Sequence, residues 1–536
     1  MPAADRHPEV VPGTVHLVDL AGATAGGVVE LVPRPSDDPE DPLNWSRQRK
    51  YLAVAMVNVY TMGIAICCTL QNSVLADITR DTGISTEELV QGTGVMFLFF
   101  GWGCLVTQPL ALTYGRRGMY LMSMLITVPL MVWTAYSTST GEWYAHRILF
   151  GLVNSPIEAL PEVSIPDIFF AHERGAWMSV YVFTLFGFSF VSPLVAGFFA
   201  EAYGWRWTMH LGAIIAAVLF VVLFFFMEET MYFRPTLEGL EDEPRQTDEK
   251  VTEPRASMEE KRAESTVTDQ KRGTLYRKKY YTEKLKLFAK MEGRPAKTQM
   301  FKSMLRPVAI LFQFPSVAWV GLIYGISLSW YNVINATVSP ILSSPPYSWS
   351  TGAVGLIYVG PLIGAALGSI WAGHIADRLT LILARRNKGI REPEQRLWPL
   401  ALAGILSCIG LIIWGVGAAH GVRWAVLAVG LGILIFSCVA GSSIVLSYNV
   451  DCFKDMSGES TVSVIIVRNT LGFAISYGIT PWYSNMGLQN CFIMAGFLSL
   501  GCMSTFLFMI WKGKSLRRRC AKRYWSYAEK GLHATH

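Results

Sequence analysis

Ionisable side chains lie within the apolar segment RILFGLVNSPIEALPEVSIPDIFF, which covers residues 147–170. They include Arg147, Glu158 and Glu162. At about 100° per residue, these three fall on one face of an ideal helix together with Gly151 and Asn154. An ionisable group within a membrane almost always faces the interior of a helix bundle or a water-filled cavity, and it marks a pathway by default. The spacing therefore predicts a helix whose polar face lines such a cavity.

The prolines of this segment support the same prediction, because each removes a backbone donor and leaves a carbonyl without its partner. Interrupted helix at membrane depth is tolerated only where protein or cavity water can satisfy that carbonyl. Burial disfavours the charged form of a carboxyl group, so Glu158 or Glu162 could take up and release a proton. In the alternative role, the carboxylate pairs with Arg468 or holds the kinked helix by a hydrogen bond.

The rest of the chain supplies the elements that would position this segment. It has 536 residues, of which 51% are hydrophobic and only 16% charged, whereas soluble proteins carry about 25% charged residues. Apolar runs of spanning length alternate with short polar ones, which predicts an all-helical polytopic membrane protein. The expected spans are 51–75, 90–112, 119–138, 143–168, 176–200, 206–227, 307–337, 352–374, 398–419, 422–448, 459–482 and 488–511.

The distribution of Lys and Arg predicts the orientation. Basic residues follow the even-numbered spans and flank both chain ends, which by the positive-inside rule places both termini in the cytosol. The net charge of +6 then reflects topology rather than nucleic-acid binding. The nine cysteines show no pairing framework, so we expect no disulfide.

Composition divides the chain into five parts. We expect a disordered cytosolic tail over 1–45, six-helix bundles over 46–228 and 306–513, a charged cytosolic central loop over 229–305, and a basic cytosolic tail over 514–536.

Polar and aromatic residues on spans 1, 4, 7 and 11 are the candidate substrate contacts. They are Asn58, Tyr60, Gln71, Asn72, Asn154, Trp330, Tyr331, Asn332, Asn335 and Arg468. Aromatic rings suit flat or cationic organic molecules, although Trp330 and Tyr331 would equally suit an aromatic belt at the membrane interface. Arg468 could meet a carboxylate of span 4 or an anionic group of a substrate.

Enzyme motifs are incomplete. Gly513-Lys514-Ser515 ends like a phosphate-binding loop, but the first glycine is missing and the site closes a membrane helix. His172 and Glu173 have no second histidine at metal-ligand spacing. We therefore expect no enzymatic activity, cofactor or metal, and an ion gradient as the energy source.

Two segments with paired arginines follow span 2 and span 8. They are QPLALTYGRRGMY (108–120) and GHIADRLTLILARRN (373–387). With them the chain resembles the major facilitator superfamily, in which such a turn latches neighbouring helices. The matching residues are Gly115, Arg116 and Arg117 in the first half and Gly373, Asp377 and Arg378 in the second. The first half has Leu112 where the family has aspartate. The alternative reading is that these arginines only mark topology.

Further segments resemble the fungal twelve-span drug:proton antiporter branch of that family. They are DPLNWSRQRK (41–50), PDIFFAHERGAWM (166–178), GWRW (204–207), REPEQRLW (391–398) and VRNTLGF (467–473). The resemblance implies a proton-transfer role for Arg147 with Gly151, and an antiporter helix marked by Gly187, Pro193 and Gly197. In this helix the family's second glycine is Val191.

The expected protein is therefore a monomeric major facilitator with twelve helices in two pseudo-symmetric six-helix bundles, in the plasma membrane. The resemblance implies a proton-coupled antiporter that exports small organic compounds such as drugs or secondary metabolites. The same branch also resembles uptake permeases for organic cations such as polyamines. A membrane sensor that transports nothing is the third alternative.

Overall fold

The computed structural model describes residues 11–16, 38–232, 285, 287, 297–387 and 390–533. Within them, 12 helices are long and apolar enough to cross a membrane, and we call them spans 1 to 12. Spans 1 to 6 are Arg47–Ser73, Thr86–Tyr114, Arg116–Tyr136, Thr140–Ile168, Trp177–Tyr203 and Trp205–Phe226. Spans 7 to 12 are Pro315–Ser343, Thr351–Arg386, Pro393–Ala419, Trp424–Cys452, Ser457–Met486 and Leu488–Tyr527. The predicted all-helical, twelve-span fold in two six-helix halves is confirmed.

Several spans are built from more than one helical piece. Span 1 ends in a 3₁₀ turn, Leu70–Ser73, and span 4 consists of the α-helices Thr140–Asn154 and Pro156–Ile168. Span 8 contains the π-helical turn Trp371–Ile375, and span 12 breaks at Thr505 before the helix Phe506–His533.

Short elements complete the described part of the chain. They are the α-helices Leu75–Thr82 and Lys297–Gln313, the 3₁₀ turns Pro42–Asn44 and Lys454–Met456, and the strands β1 (Val15–His16) and β2 (Ile390–Arg391).

Span 2 shows how the sequence sets the ends of a helix. Its start is a capping box, in which Ser85 Oγ accepts from the backbone N–H of Glu88 at 3.2 Å and Glu88 Oε2 accepts from the N–H of Ser85 at 3.0 Å. Its end is Gly115, whose φ of +111° disfavours a side chain and turns the chain into span 3. Residue types therefore determine where both ends of this helix lie.

The first and last described segments lie together at one end of the bundle, which we call the terminal face. It carries residues 38–46, the start of span 3 and the end of helix Phe506–His533. The other end, which we call the opposite face, carries the connections 74–85, 137–139 and 344–350.

The two halves touch at both faces. At the opposite face, Thr351 Oγ1 donates to Asp77 Oδ2 at 2.6 Å and Ser339 Oγ donates to the carbonyl of Ser73 at 3.3 Å. At the terminal face, Gln108 Nε2 donates to the carbonyl of Gly458 at 3.2 Å. The halves are therefore in contact at both ends of the space between them.

Two predictions of boundaries are wrong. Span 7 was expected to begin at residue 307, but residues up to Gln313 belong to a separate helix, because Phe314 is extended and Pro315 starts a new one. The expected disordered tail over 1–45 is ordered at 11–16 and 38–45. The predicted basic tail from 514 is helical as far as His533, with Cys520 and Tyr524 buried on it.

The ordered N-terminal segment, residues 11–16, docks on the second half of the chain. β1 pairs antiparallel with β2, with Val15 opposite Arg391. The buried Arg517 side chain binds Glu394 through two hydrogen bonds of 2.9 and 2.6 Å, and it also donates to the carbonyl of Pro12. We call residues 11–16 the N-terminal strap.

Candidate functional site

Span 4 changes direction between its two charged regions. Its first helix ends at Asn154, and Pro156 starts the second, because proline lacks a donor and fits the first turn of a helix. Glu158 and Glu162 lie one turn apart on the second helix, while Arg147 lies on the first. The break thus separates the arginine from the two carboxylates.

Glu158 forms an ion pair with Arg468 of span 11, which lies in the other half of the molecule. Both side chains are buried, with 11% and 4% of their surface exposed. Arg468 also donates to the hydroxyl of Tyr324 at 3.0 Å and to Oδ1 of Asn469 at 3.1 Å. This ion pair, one of the alternatives that the sequence left open, joins the two halves in the middle of the membrane-spanning region.

A small cavity, which we call the central cavity, lies beside the ion pair. Its volume is about 50 Å³, room for only a few waters. It is lined by Ile64, Ala65, Cys68, Thr69, Phe97, Phe100, Ile157, Glu158, Leu185, Phe186, Ser189, Leu328, Tyr331 and Arg468. Pockets for drug-sized ligands measure roughly 300–1,000 Å³, so a substrate of that size requires the halves to separate.

A second pocket, which we call the amide pocket, adjoins the central cavity on the side of the opposite face. It is lined by Cys68, Thr69, Asn72, Leu75, Val90, Thr93, Phe97, Tyr331, Asn332, Asn335, Ala336 and Ser476. Of the predicted substrate contacts, Asn72, Tyr331 and Asn332 lie here, and Arg468 lies at the central cavity.

Glu162 is half-buried one turn beyond Glu158. Within the described ranges it forms no ion pair, and the nearest charges that act on it are those of Arg468 and Glu158. A carboxylate in this position can accept a proton or a cation without breaking an existing ion pair.

Arg147 lines neither cavity. Its guanidinium lies over the ring of Trp143, 4.4 Å from the centroid, and Nη1 is 3.7 Å from the sulfur of Met96. Its Nε and Nη2 have no hydrogen-bond partner among the described residues, although only 2% of the residue is exposed. The expectation that all three ionisable groups of span 4 face one cavity is therefore wrong for Arg147, because this side chain is enclosed within the first half.

The structure places four predicted substrate contacts in packing interactions outside both cavities. The hydroxyl of Tyr60 lies 2.8 Å from Ser123 Oγ, and Asn154 Oδ1 accepts from the same Ser123 at 2.7 Å. Asn58 donates to a carbonyl of its own helix at 2.9 Å, and Trp330 Nε1 donates to Ser499 Oγ at 2.9 Å. A polar side chain in an apolar span can form hydrogen bonds within its own half, which its residue type does not reveal.

Gln71 also lies outside both cavities. Its Nε2 donates to the carbonyl of Cys68 at 2.6 Å, within the 3₁₀ end of span 1. It therefore supports the wall of the cavities rather than lining them.

Several residues at the cavities are not in the predicted set. They are Thr69, Thr93, Phe97, Phe100, Phe186 and Ser476. Asn335, which the polar stretch of span 7 offers as a candidate, does line the amide pocket. Phe97, Phe100 and Phe186 carry none, because an aromatic residue in an apolar span looks the same whether it faces lipid or a cavity.

The arginine turn of the first half is held by acidic residues from elsewhere. Arg116 forms a 2.5 Å ion pair with Asp167 at the end of span 4. The backbone N–H groups of Arg116 and Arg117 donate to Glu229 at 3.1 and 3.0 Å, and a Cβ on Gly115 would lie 2.6 Å from Glu229 Oε2. Asp167 and Glu229 thus replace the aspartate that the sequence lacks at Leu112.

In the second half, Asp377 pairs with Arg396, which also donates to Asp451 at 2.8 Å. Arg378 is exposed and contributes to no ion pair within the described part of the chain. Gly373 lies in the π-helical turn of span 8, where an added Cβ would be 3.3 Å from Ser179 Oγ of span 5.

Span 5 approaches span 8 through its small residues. A Cβ added to Gly197 would lie 2.7 Å from the carbonyl oxygen of Thr351 and 3.0 Å from Cα of Gly355. At Gly187 the nearest atoms would be 3.6 Å away, an ordinary contact, and Pro193 lies inside the helix between them. The predicted contact helix thus lies at the boundary between the halves, with Gly197 at its tightest point.

The comparison with protein families matches residues 57–458 to the Major Facilitator Superfamily. The chain belongs to this family. Protein HOL1 of Saccharomyces cerevisiae is 28% identical to it over 564 residues, 95% of this chain and 96% of HOL1. A Schizosaccharomyces pombe protein named "Uncharacterized MFS-type transporter C1271.10c" is 28% identical over 558 residues, 98% of this chain and 95% of that protein.

Among solved structures, the proton:xylose symporter XylE bound to 6-bromo-6-deoxy-D-glucose matches with a TM-score of 0.57 and 13% identity. The match covers 87% of this chain and 96% of XylE, and at this identity it shows the fold. Together with the twelve spans, these relatives make the major facilitator described here an integral, multi-pass membrane protein and a secondary transporter.

Proposed function

We propose that this major facilitator is a proton-coupled antiporter that exports small organic compounds. The observation that carries the proposal is the Glu158–Arg468 ion pair between the halves, beside the central cavity and one turn from Glu162. A buried pair is stable only while both partners keep their charge. Protonation of Glu158 therefore weakens a link between the halves, which couples a proton to their separation.

The chemistry of the cavity favours a cationic substrate. Glu158 and Arg468 in its lining balance each other, so Glu162, one turn beyond Glu158, leaves a net negative charge here. Phe97, Phe186 and Tyr331 supply aromatic faces that attract cations. A proton and an organic cation then compete for the same carboxylates, so each displaces the other. Exchange of one for the other across the membrane is antiport.

Placement in the membrane follows the basic residues. We place the terminal face, with Arg116, Arg174 and Arg385, in the cytosol, and hence both chain ends too. We place the protein in the plasma membrane as a monomer. In this orientation the amide pocket lies towards the outside of the cell.

A second candidate function is proton-coupled uptake of organic cations such as polyamines. The paired carboxylates at the cavity favour it, because they would hold a cation in either direction of transport. Deletion of the gene separates the two: cells lacking an exporter retain more of a labelled compound, and cells lacking an importer retain less.

The proposal is tested in proteoliposomes with an imposed proton gradient. We expect Glu158→Gln to abolish gradient-driven flux of an organic cation while the protein still inserts and purifies as wild type. Glu87→Gln, which neutralises an exposed carboxylate at the start of span 2, is the matched control and should transport normally. Unchanged proton dependence in Glu158→Gln would contradict the proposal, and no flux in wild-type protein with any probe would favour a sensor.

A further inference from the structure

The amide pocket contains buried polar atoms without partners. Both Oδ1 and Nδ2 of Asn332 and Oδ1 of Asn335 form no hydrogen bond within the described part of the chain. Each of these residues is only 6% exposed. Buried polar atoms are normally hydrogen-bonded. These unpaired atoms at a pocket therefore predict a hydrogen-bond partner that is not part of the chain.

The pocket also differs from the central cavity in charge. Its lining includes the amides of Asn72, Asn332 and Asn335 and the hydroxyls of Thr69, Thr93, Tyr331 and Ser476, and no acidic or basic residue. The central cavity, by contrast, is lined by Glu158 and Arg468. Amides and hydroxyls both donate and accept, which suits an uncharged polar group.

The two spaces form one path through the protein. Cys68, Thr69, Phe97 and Tyr331 line both of them. On span 7 the lining runs from Leu328 to Ala336, and Asn335 lies about 10 Å from Leu328 along an ideal helix. A single elongated molecule can therefore contact both ends.

We propose that the amide pocket is a second binding subsite, which holds a neutral hydrogen-bonding group of the transported molecule. The substrate class is then an elongated organic cation with a hydroxyl, amide or carbonyl group about 10 Å from its positive charge. The cation lies at Glu158 and Glu162, and the distal group lies between Asn332 and Asn335. This inference rests on the proposed function, in that the central cavity must bind the transported cation.

The test compares two quaternary ammonium ions that differ only at the far end, (8-hydroxyoctyl)trimethylammonium and octyltrimethylammonium. Both keep their charge at every pH, so neither accumulates by itself across a proton gradient. Flux of each is measured in proteoliposomes, with protein-free liposomes as the blank. In wild type we expect a KM for the hydroxyl compound at least about fivefold lower, the effect of one net hydrogen bond.

Asn332→Leu keeps the approximate size of the side chain and removes its hydrogen bonds. We expect it to raise the KM of the hydroxyl compound about fivefold and to leave that of the octyl compound unchanged. Asn335→Leu should act in the same direction. The matched control is Asn490→Leu at the exposed start of span 12, which should change neither KM.

The outcomes separate the inference from the function on which it rests. Equal KM values for the two ions in wild type, or equal shifts in Asn332→Leu, would overturn the subsite, because a pocket that holds only water cannot distinguish them. Absence of flux for both ions in wild type would overturn the proposed cation transport itself. A diamine of the same length, run alongside, should bind less tightly than the hydroxyl compound, and tighter binding would contradict a neutral subsite.

Discussion

Arg147 and Arg468 are both buried arginines, yet their surroundings differ. Arg468 has a carboxylate, a phenol and an amide within hydrogen-bond reach, whereas Arg147 has an aromatic face and a thioether. A buried charge without an ion-pair partner is unfavourable for stability. We propose that Arg147 serves a step other than folding.

Arg147→Met tests that role, since methionine is an unbranched apolar residue of suitable length. We expect its melting temperature to stay within about 2 °C of wild type or to rise, because a buried, unpaired charge is removed. Proton-driven flux should fall at least about tenfold, equivalent to about 1.4 kcal/mol in the coupling step.

The matched control is Arg206→Met. Arg206 also lies over a tryptophan, 4.9 Å from the ring of Trp205, but it is exposed. The Arg206→Met variant should transport normally. Full flux in Arg147→Met would show that the arginine has no part in proton coupling.

At the level of single residues, the sequence predicts the pairing of buried charges well and the contacts of uncharged side chains poorly. The Glu158–Arg468 pair was among its alternatives because two opposite charges in apolar spans have few other partners. Whether Tyr60 or Tyr331 faces the cavity depends on how each helix is rotated against its neighbours, and composition alone does not set that rotation.

Among the elements, the contact between spans 5 and 8 closes the opposite face. Gly197→Val should hold these helices apart, because the added side chain would overlap the backbone of Thr351 and Gly355. The cavity should then open to the opposite face. We expect labelling of Cys68 by a polar thiol reagent, followed by mass spectrometry, to become several-fold faster, and transport to fall.

Gly187→Ala is the control for this prediction, since its Cβ would meet only ordinary contacts at 3.6 Å and beyond. It should label and transport as wild type. A Cys68 labelling rate in Gly197→Val equal to that of wild type would mean that the tight contact does not limit opening.

The N-terminal strap is the element that the sequence did not predict. Its composition indicates disorder, and its docking depends on Arg517, which lies about five hundred positions away in the chain. Gly13 has φ +80°, and an added Cβ would lie 2.5 Å from the carbonyl oxygen of Asp451. Gly13→Val should therefore release the strap.

Release of the strap is measured on a cysteine introduced at Val11, which is 9% exposed. We expect its labelling by a polar thiol reagent to be at least several-fold faster in the Gly13→Val background. Gly141→Val, on a glycine with open space around it, controls for the substitution itself. Equal labelling in both backgrounds would mean that Gly13 does not hold the strap in place.

For the whole molecule, hydropathy and the placement of charge predict twelve spans and their grouping, because lipid imposes a strict requirement on helix length and polarity. The junctions are less predictable: the break at Phe314, the continuation of the last helix to His533 and the π-helical turn in span 8 depend on local packing. The contacts between the halves at both faces depend on how the two halves pack together, which no single segment of the sequence determines.

The central claim is that a proton and the transported cation compete for the carboxylates Glu158 and Glu162 between the two halves. It is tested most directly by proton release on binding, measured with a pH indicator when octyltrimethylammonium is added to the purified protein in weakly buffered detergent solution. We predict release of protons by wild-type protein and by Glu87→Gln, and a clear reduction in Glu162→Gln, because Glu162 has no ion pair among the described residues that would keep it ionised. Binding of the cation without proton release in wild type, or equal release in Glu162→Gln, would contradict the account.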